Sequence, residues 1–207
     1  MARNLSKEPA AELRLFLAIE APTEIQNELA AVQDELRQYQ DILKLVRPDM
    51  MHLTVRFLGN VPAARLPDVE QAAQAVAVSA RPFGLHVGYL GTFPTGKPAR
   101  VVWAGVLHDA GLEALRKLFQ ALEAQLEQRG FQRETRPLSP HLTLARVRQT
   151  VPAGKARLLT SVVERLAVSH PLCGRFDVSE LTVMQSDNGP RGPRYTPLAR
   201  LSLPSTE

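Results

Sequence analysis

The sequence contains very little cysteine, with only Cys173 among its 207 residues. A single thiol cannot form an intrachain disulfide, and zinc sites that need several thiolates are excluded as well. Long apolar runs are also missing. The run at 15–19 is too short to span a membrane, and it ends at Glu20. These absences predict a cytoplasmic protein without a membrane association, whose chemistry depends on histidine, hydroxyl and charged side chains.

A large excess of charge of one sign is absent too. The 25 Lys and Arg residues oppose 21 Asp and Glu residues, which leaves a net charge of +4. This charge is a mild bias toward polyanions and does not by itself predict nucleic-acid binding. Hydrophobic residues make up 44% of the chain and charged residues 22%. That composition excludes extensive disorder, a collagen-like chain and a coiled coil.

The predicted secondary structure follows a similar order in the two halves of the chain. Short apolar or alternating runs predict strands at 13–20, 51–58, 83–90, 101–107, 141–147, 176–184 and 195–203. Apolar residues at helical spacing predict helices after Thr23, over 64–79, after Asp109 and over 156–166. Thr23 and Gln26 have the spacing of a capping box, Asp109 is a candidate cap, and Gly130 is a candidate helix stop. The Gly- and Pro-rich segment 91–100 is the best linker candidate.

One nine-residue sequence occurs twice. RPDMMHLTV at 47–55 matches RPLSPHLTL at 136–144, and five residue types recur in register with an offset of 89 residues. This match predicts an internal duplication and two lobes related by a pseudo-twofold axis. We expect one bilobal catalytic domain over 1–207. Its two units cover about 13–94 and 99–186, and a turn and a final strand cover 187–207.

The repeated His-Leu-Thr has its polar residues on one face of each strand. Strict alternation puts His52, Thr54 and Arg56 on one face, and it puts His141 and Thr143 on one face of the second strand. The aliphatic residues between them would pack under helices. If the lobes obey a pseudo-twofold axis, the two polar faces meet across a central cleft.

Two imidazoles and two hydroxyls suit chemistry at phosphorus. Histidines can serve as general base and general acid near neutral pH, and threonine hydroxyls donate to phosphate oxygens. A cyclic 2′,3′-phosphate is strained and needs no metal to open. A metal site is the weaker alternative, because His-Leu-Thr contains no Asp, Glu or Cys to complete a ligand set. A single such motif on a surface strand is usually structural, whereas its repetition favours function.

The pair of motifs resembles the signature of the two-histidine phosphoesterase superfamily. More narrowly, the chain resembles the bacterial and archaeal RNA 2′,3′-cyclic phosphodiesterases, also called 2′-5′ RNA ligases. The residues that carry this resemblance lie at 14–20, 47–61, 99–106, 136–147 and 194–203. The resemblance implies an α+β fold with mainly antiparallel sheet, outer helices and a central cleft. It also implies hydrolysis of RNA 2′,3′-cyclic phosphate ends to 2′-phosphates, and ATP-independent 2′-5′ ligation by reversal.

The resemblance also implies roles for individual residues. His52 would donate a proton to the leaving 3′ oxygen, and His141 would accept one from the attacking water. Thr54 and Thr143 would hold the phosphate. Arg146 corresponds to a family arginine, but alternation puts it opposite His141, so a bulge would have to turn it back. No cofactor and no metal are expected, and the expected partner of this monomer is RNA with a cyclic phosphate end, tRNA fragments included.

Other cations remain open candidates. Arg56 is in phase with His52 and could contact a backbone phosphate. Arg47 and Arg136 are repeated and are either salt-bridge residues or part of the cleft mouth. Four cations in Gly- and Pro-rich loops either hold RNA or are solvated: Lys97, Arg100, Arg191 and Arg194.

The same residues are also compatible with two other functions. One is phosphodiester chemistry on another substrate, such as a nucleotide-derived 1″,2″-cyclic phosphate or an RNA 3′ end. The other is a non-catalytic RNA-binding module. We expect surface or capping roles for the other histidines, and core packing for the remaining notable side chains, Phe16, Trp103 and Cys173.

Overall fold

A computed structural model describes residues 11–189 and 192–204. The strands are β1 (Glu12–Glu20), β2 (Leu43–Leu45), β3 (His52–Pro62), β4 (Phe83–Phe93), β5 (Val101–Val106), β6 (His141–Val147), β7 (Leu172–Val178), β8 (Glu180–Gly189) and β9 (Gly192–Ser202). The helices are α1 (Thr23–Leu36), α2 (Leu66–Ser79), α3 (Ala110–Gln128) and α4 (Ala153–Ser169). Three short 3₁₀ turns cover Arg37–Tyr39, Pro48–Met50 and Ala63–Arg65.

The described strands form one antiparallel sheet of nine strands. Its order is β7-β4-β5-β6-β3-β1-β8-β9, with β2 paired to β6. The two motif strands, β3 and β6, lie side by side at the centre and pair through Leu53 and Leu142. The predicted α+β fold with antiparallel sheet is confirmed.

Each half of the sheet contains a strand from the other sequence unit. On the β3 side, β1 is followed by β8, and on the β6 side, β5 is followed by β4. The order is therefore symmetric about the β3–β6 pair, as a pseudo-twofold axis requires. Residues 91–93 belong to β4, and residues 94–100 connect it to its partner β5, so the interpretation of 91–100 as a linker between lobes is wrong. The predicted strand at 176–184 is two strands, β7 and β8, with Ser179 between them.

The helices bury most of the apolar stripes that the sequence predicts. On α1 the predicted residues Ile25, Leu29, Val32 and Leu36 are buried, whereas Tyr39 lies beyond the helix and is partly buried. On α3 the predicted residues Leu112, Leu115, Leu122 and Leu126 are buried, but Leu118 is buried in place of Phe119, which is only partly buried. The side chain of Asp109 accepts hydrogen bonds from the amides of Gly111 (2.9 Å) and Leu112 (3.2 Å), so the predicted cap of α3 is confirmed. Gly130 follows α3 with a φ of 77°, which suits a helix stop.

The capping box predicted at the start of α1 is wrong. Pro22 precedes the helix and supplies no side-chain cap, and the Gln26 amide instead donates to the Ala21 carbonyl at 2.7 Å. Proline suits such a position because its fixed φ is compatible with entry into a helix. None of the described helices is both long enough and apolar enough to cross a membrane.

Candidate active site

β3 carries a β-bulge directly after Thr54. Consecutive residues of β1 pair with Thr54 and Arg56, so Val55 is the extra residue. A bulge interrupts the alternation of faces. Val55 and Arg56 are both buried, and the next residue, Phe57, is exposed and lines the cleft together with Thr54.

Arg56 therefore points away from the cleft. Its Nε donates to Glu123 on α3 at 2.5 Å, and its Nη atoms donate to the carbonyls of Phe57 (2.6 Å) and Gln132 (2.5 Å). The prediction that Arg56 shares a face with His52 and can reach a phosphate is wrong. Alternation fails here because the bulge lies between the two residues.

β6 has the same irregularity at the matching position. Thr143 and Ala145 pair with consecutive residues of β5, so Leu144 is the extra residue. Strict alternation would bury Arg146, whereas the bulge leaves it exposed and lining the cleft. The bulge that would turn Arg146 toward the side of His141 is therefore present.

The two motif histidines are held in the same way. Nδ1–H of His52 donates to the carbonyl of Met50 at 2.9 Å, and Nδ1–H of His141 donates to the carbonyl of Ser139 at 2.8 Å. A carbonyl only accepts, so each Nδ1 carries the hydrogen. This arrangement leaves Nε2 of each ring as the nitrogen that can exchange a proton with a substrate.

Aromatic rings pack around both imidazoles. The centroid of His52 lies 5.0 Å from that of Phe16 and 4.8 Å from that of Tyr195. The centroid of His141 lies 5.0 Å from that of Phe93 and 6.2 Å from that of Trp103. These contacts restrict ring rotation and remove water from the imidazoles. Phe16 is thus a packing residue that also lines the cleft.

The imidazoles and the threonine hydroxyls lie in one cleft of about 1070 Å³. Among the described residues its lining includes six cations, Arg14, Lys44, Arg47, Arg146, Arg194 and Arg200, and two carboxylates, Glu20 and Asp49. Arg47 pairs with Asp49, and Arg200 pairs with Glu20. The lining therefore has an excess of positive charge that suits a polyanion.

The described part of the cleft wall comes from the sheet and its loops, without a contribution from the four helices. Within that same part of the chain, no other side chain hydrogen-bonds to the hydroxyls of Thr54 and Thr143, which leaves both available to a ligand. No cluster of three or more His, Cys, Asp or Glu residues arranged for a metal is found among residues 11–189 and 192–204. Metal independence stays a prediction.

The model of the family described as LigT like Phosphoesterase matches this chain twice, at residues 19–103 and 107–195. The chain belongs to this family. Each match includes one bulged motif strand, and the family predicted from the motifs is confirmed.

Relatives and solved structures agree with this assignment over most of the chain. A Methanocaldococcus jannaschii protein named RNA 2′,3′-cyclic phosphodiesterase is 31% identical, over 88% of this chain and 96% of its own length. A Thermus thermophilus protein of the same name is 30% identical, over 92% of this chain and 90% of its own. The crystal structure of Escherichia coli LigT complexed with 3′-AMP is 26% identical, with a TM-score of 0.70 over 93% of this chain and 99% of that one.

Burial and positive charge shape the titration of the histidines in this LigT-like phosphoesterase. Burial lowers the pKa of His52 below 6.5, and the charges of Arg146 and His141 lower it further, while Glu20 acts in the opposite direction. Burial also lowers the pKa of His141, again with a contribution from Arg146. Both imidazoles of the free protein are therefore mainly neutral at pH 7.

The remaining predicted cations divide between the cleft and the outside. Arg47 and Arg194 line the cleft, whereas Lys97 and Arg100 line a separate pocket of about 240 Å³ next to α4. Arg136 pairs with Glu134, and this contact lowers the pKa of that carboxyl to about 2. Arg191 lies outside the described residues.

Sequence reasoning missed several residues of the cleft, among them Arg14, Lys44, Phe57, Tyr195 and Arg200. Phe57 stands where the second copy has Arg146, since both are the fifth residue after the motif histidine. Extending the alignment of the two copies by two residues would have found it. Tyr195 comes from a strand distant in sequence, and no local signal indicates it.

Proposed function

We propose that this phosphoesterase opens RNA 2′,3′-cyclic phosphate ends to 2′-phosphates without a metal. His52 serves as the proton donor and His141 as the proton acceptor, and Thr54, Thr143 and Arg146 hold the phosphate. The observation that carries the proposal is the pair of imidazoles anchored through Nδ1 in a single cation-rich cleft.

The proposed reaction is an in-line displacement at phosphorus. His141 Nε2 takes a proton from water as the water oxygen bonds to phosphorus. The bond from phosphorus to the 3′ oxygen breaks, and His52 Nε2–H gives its proton to that oxygen. The products are a 2′-phosphate and a 3′ hydroxyl, so atoms and charge balance. General acid–base catalysis of this kind contributes about 10²–10⁴-fold.

The site is nearly symmetric, so the assignment of the two roles rests on the resemblance to the family. Glu20 raises the pKa of His52, but burial and the charges of Arg146 and His141 outweigh this effect and lower it. The bound phosphate is itself an anion and also favours a protonated imidazole. Hydrogen bonds from Thr54, Thr143 and Arg146 would stabilise the charge that develops on the non-bridging oxygens.

The names of the relatives support RNA as the substrate class, and the 3′-AMP complex of Escherichia coli LigT supports a nucleotide at this site. The same chemistry gives 2′-5′ ligation without ATP when an RNA 5′ hydroxyl replaces water as the attacking group. Fragments of tRNA are a suitable source of cyclic phosphate ends. We further propose that the protein acts as a cytoplasmic monomer.

A short RNA with a 2′,3′-cyclic phosphate end, incubated with the protein in EDTA, tests the proposal. Phosphorus NMR of the product should show a 2′-phosphate, and His52→Ala and His141→Ala should each lower the rate by about 10²–10⁴-fold. His108→Ala is the matched control, because His108 is exposed and is not among the described residues of the cleft wall. A 3′-phosphate product, or activity that survives both substitutions, would overturn the proposal.

Absence of turnover in this assay would exclude RNA 2′,3′-cyclic phosphate ends as the substrate. A nucleotide-derived 1″,2″-cyclic phosphate and an RNA 3′ end are the next substrates to test. RNA binding without turnover of any of them would indicate a non-catalytic binding module. Activity that disappears in EDTA and returns with a divalent ion would contradict metal independence.

A further inference from the structure

Two buried polar residues occupy matching places on the helices that precede the motif strands. Gln33 follows Val32 on α1, and Glu123 follows Leu122 on α3. Each polar residue is only 2% exposed, whereas its inward-facing neighbours on the helix are mostly aliphatic. Buried polar groups need partners, so the contacts of these two residues indicate what they hold.

Gln33 holds the bulge of β6. Its Nε2 donates to the carbonyl of Val46 at 2.7 Å and to the carbonyl of Leu144, the bulge residue, at 2.8 Å. The amide of Val46 also donates to the Leu144 carbonyl, at 2.9 Å. One side-chain amide therefore joins the bulge to the segment that leaves β2 and continues toward His52.

Glu123 has the corresponding contacts on the other side of the pseudo-twofold axis. Its carboxylate accepts from Arg56, which follows the bulge of β3, and from the backbone amide of Glu134 at 2.6 Å. Arg56 in turn donates to Gln132. The segment that contains Gln132 and Glu134 continues into β6. Each helix thus contacts the other unit's motif strand, α1 at the bulge residue Leu144 and α3 at Arg56, the residue after the bulge.

We infer that Gln33 is a positioning residue that keeps Arg146 in the cleft by holding the carbonyl of the bulge residue Leu144. The bulge is the feature that turns Arg146 away from the core, because regular alternation would bury it. A regular strand would leave the Gln33 amide without this partner. The inference rests on the proposed function only in assigning a bound phosphate to Arg146.

Two measurable properties depend on the position of Arg146: phosphate binding and the pKa values of the motif histidines. Its guanidinium is a candidate donor to phosphate, and its charge acts on both motif imidazoles. Removing the arginine by Arg146→Ala should weaken binding of inorganic phosphate by about 10–100-fold, as expected for a hydrogen bond to a charged group. If Gln33 acts through Arg146, substitution of Gln33 should reproduce part of this weakening of phosphate binding.

The test compares Gln33→Met with Gln26→Met. Both glutamines lie on α1 and donate Nε2 to backbone carbonyls, but Gln26 bonds to Ala21 rather than to the bulge. Binding of inorganic phosphate is measured by calorimetry, and the His141 imidazole is titrated by NMR. Gln33→Met should weaken phosphate binding at least about threefold and raise the pKa of His141, while Gln26→Met should change neither.

A double-mutant cycle separates positioning from general damage to the fold. In the Arg146→Ala background, Gln33→Met should have no further effect on phosphate binding, because the arginine that Gln33 positions is no longer present. An equal loss in both backgrounds would overturn the inference, as would unchanged phosphate binding in the single variant. If Gln33→Met does not fold, the shorter amide of Gln33→Asn is measured instead, and unfolding of both variants would show a global structural role.

These readouts do not depend on RNA turnover. If the protein fails to open cyclic phosphate ends, the phosphate affinity and the His141 titration still report where Arg146 lies. Failure of the inference and failure of the proposed function are therefore distinguishable.

Discussion

Leu53 of β3 pairs with Leu142 of β6 at the centre of the sheet. A histidine precedes each leucine and a threonine follows it. The pseudo-twofold relationship between the leucines therefore brings both imidazoles and both hydroxyls to matching places on the cleft. The leucines themselves are fully buried on the opposite face of the sheet, where they anchor both motifs to the core.

Removal of either threonine hydroxyl should slow the reaction. Thr54→Val and Thr143→Val keep the shape of the side chain but remove a donor to the phosphate, and we expect each to lower kcat by up to about 10²–10³-fold. Thr→Ser at the same positions keeps the hydroxyl and should retain most of the activity. Steady-state kinetics on an RNA with a cyclic phosphate end measures both pairs of variants, and equal rates for Val and Ser would contradict a donor role.

The pH dependence of kcat/KM should reflect the lowered pKa values of the histidines. The productive form has one protonated and one neutral imidazole, and its population is greatest midway between the two pKa values. Burial and Arg146 lower both pKa values below 6.5, so the maximum should lie below pH 6.5. Arg146→Gln removes a nearby positive charge, raises both pKa values and should shift the maximum to higher pH.

Arg194→Gln is the control for that shift. Arg194 lines the same cleft, but it does not contribute to the pKa of either motif histidine. Its removal should weaken RNA binding in low salt and leave the pH maximum in place. A maximum above pH 7 in the unmodified protein would contradict the expected desolvation of the histidines.

Removal of only one member of the buried Arg56–Glu123 ion pair should strongly lower the free energy of unfolding. Side-chain exposure is 9% for Arg56 and 2% for Glu123. Arg56→Met leaves a buried carboxylate without its partner, so the free energy of unfolding should fall by about 3–5 kcal/mol. Adding Glu123→Gln removes the charge but keeps an acceptor for the Glu134 amide, so the double variant should recover part of that loss.

Urea unfolding measures these changes, and Arg116→Met is the matched control. Arg116 forms an exposed pair with Glu113 on the same helix, and such pairs contribute only about 0–1 kcal/mol. Similar losses for Arg56→Met and Arg116→Met would show that burial does not increase the cost.

Gly91 should not tolerate a larger side chain. It pairs with Trp103 across β4 and β5, and a Cβ at Gly91 would overlap the indole ring of Trp103 at Cζ2. Gly91→Ala must displace the indole, which should cost about 1–3 kcal/mol of stability and change the emission of the protein's single tryptophan. Gly154→Ala is the control, because a Cβ there meets no atom within 4 Å and alanine favours a helix.

Much of the fold could be predicted from local pattern. Alternation located the motif strands, helical spacing located the buried stripes of α1 and α3, and Asp109 marked the start of α3. The repeated His-Leu-Thr indicated the family and the two histidines of the cleft. These features depend on residues close together in sequence, so their physical causes are visible in the sequence.

The sequence by itself determined the order of these elements and the duplicated motif, but the tertiary structure decided which side chains enter the cleft. Alternation assigned Arg56 to the cleft and Arg146 to the core, and a bulge in each strand reversed both assignments. A bulge exists only relative to a partner strand. The contacts that hold it, such as Gln33 on the Leu144 carbonyl, join residues more than 100 positions apart. Local periodicity contains no information about such distant partners. The family resemblance indicated Arg146, but the removal of Arg56 from the cleft and the contacts that hold each bulge followed only from the folded chain.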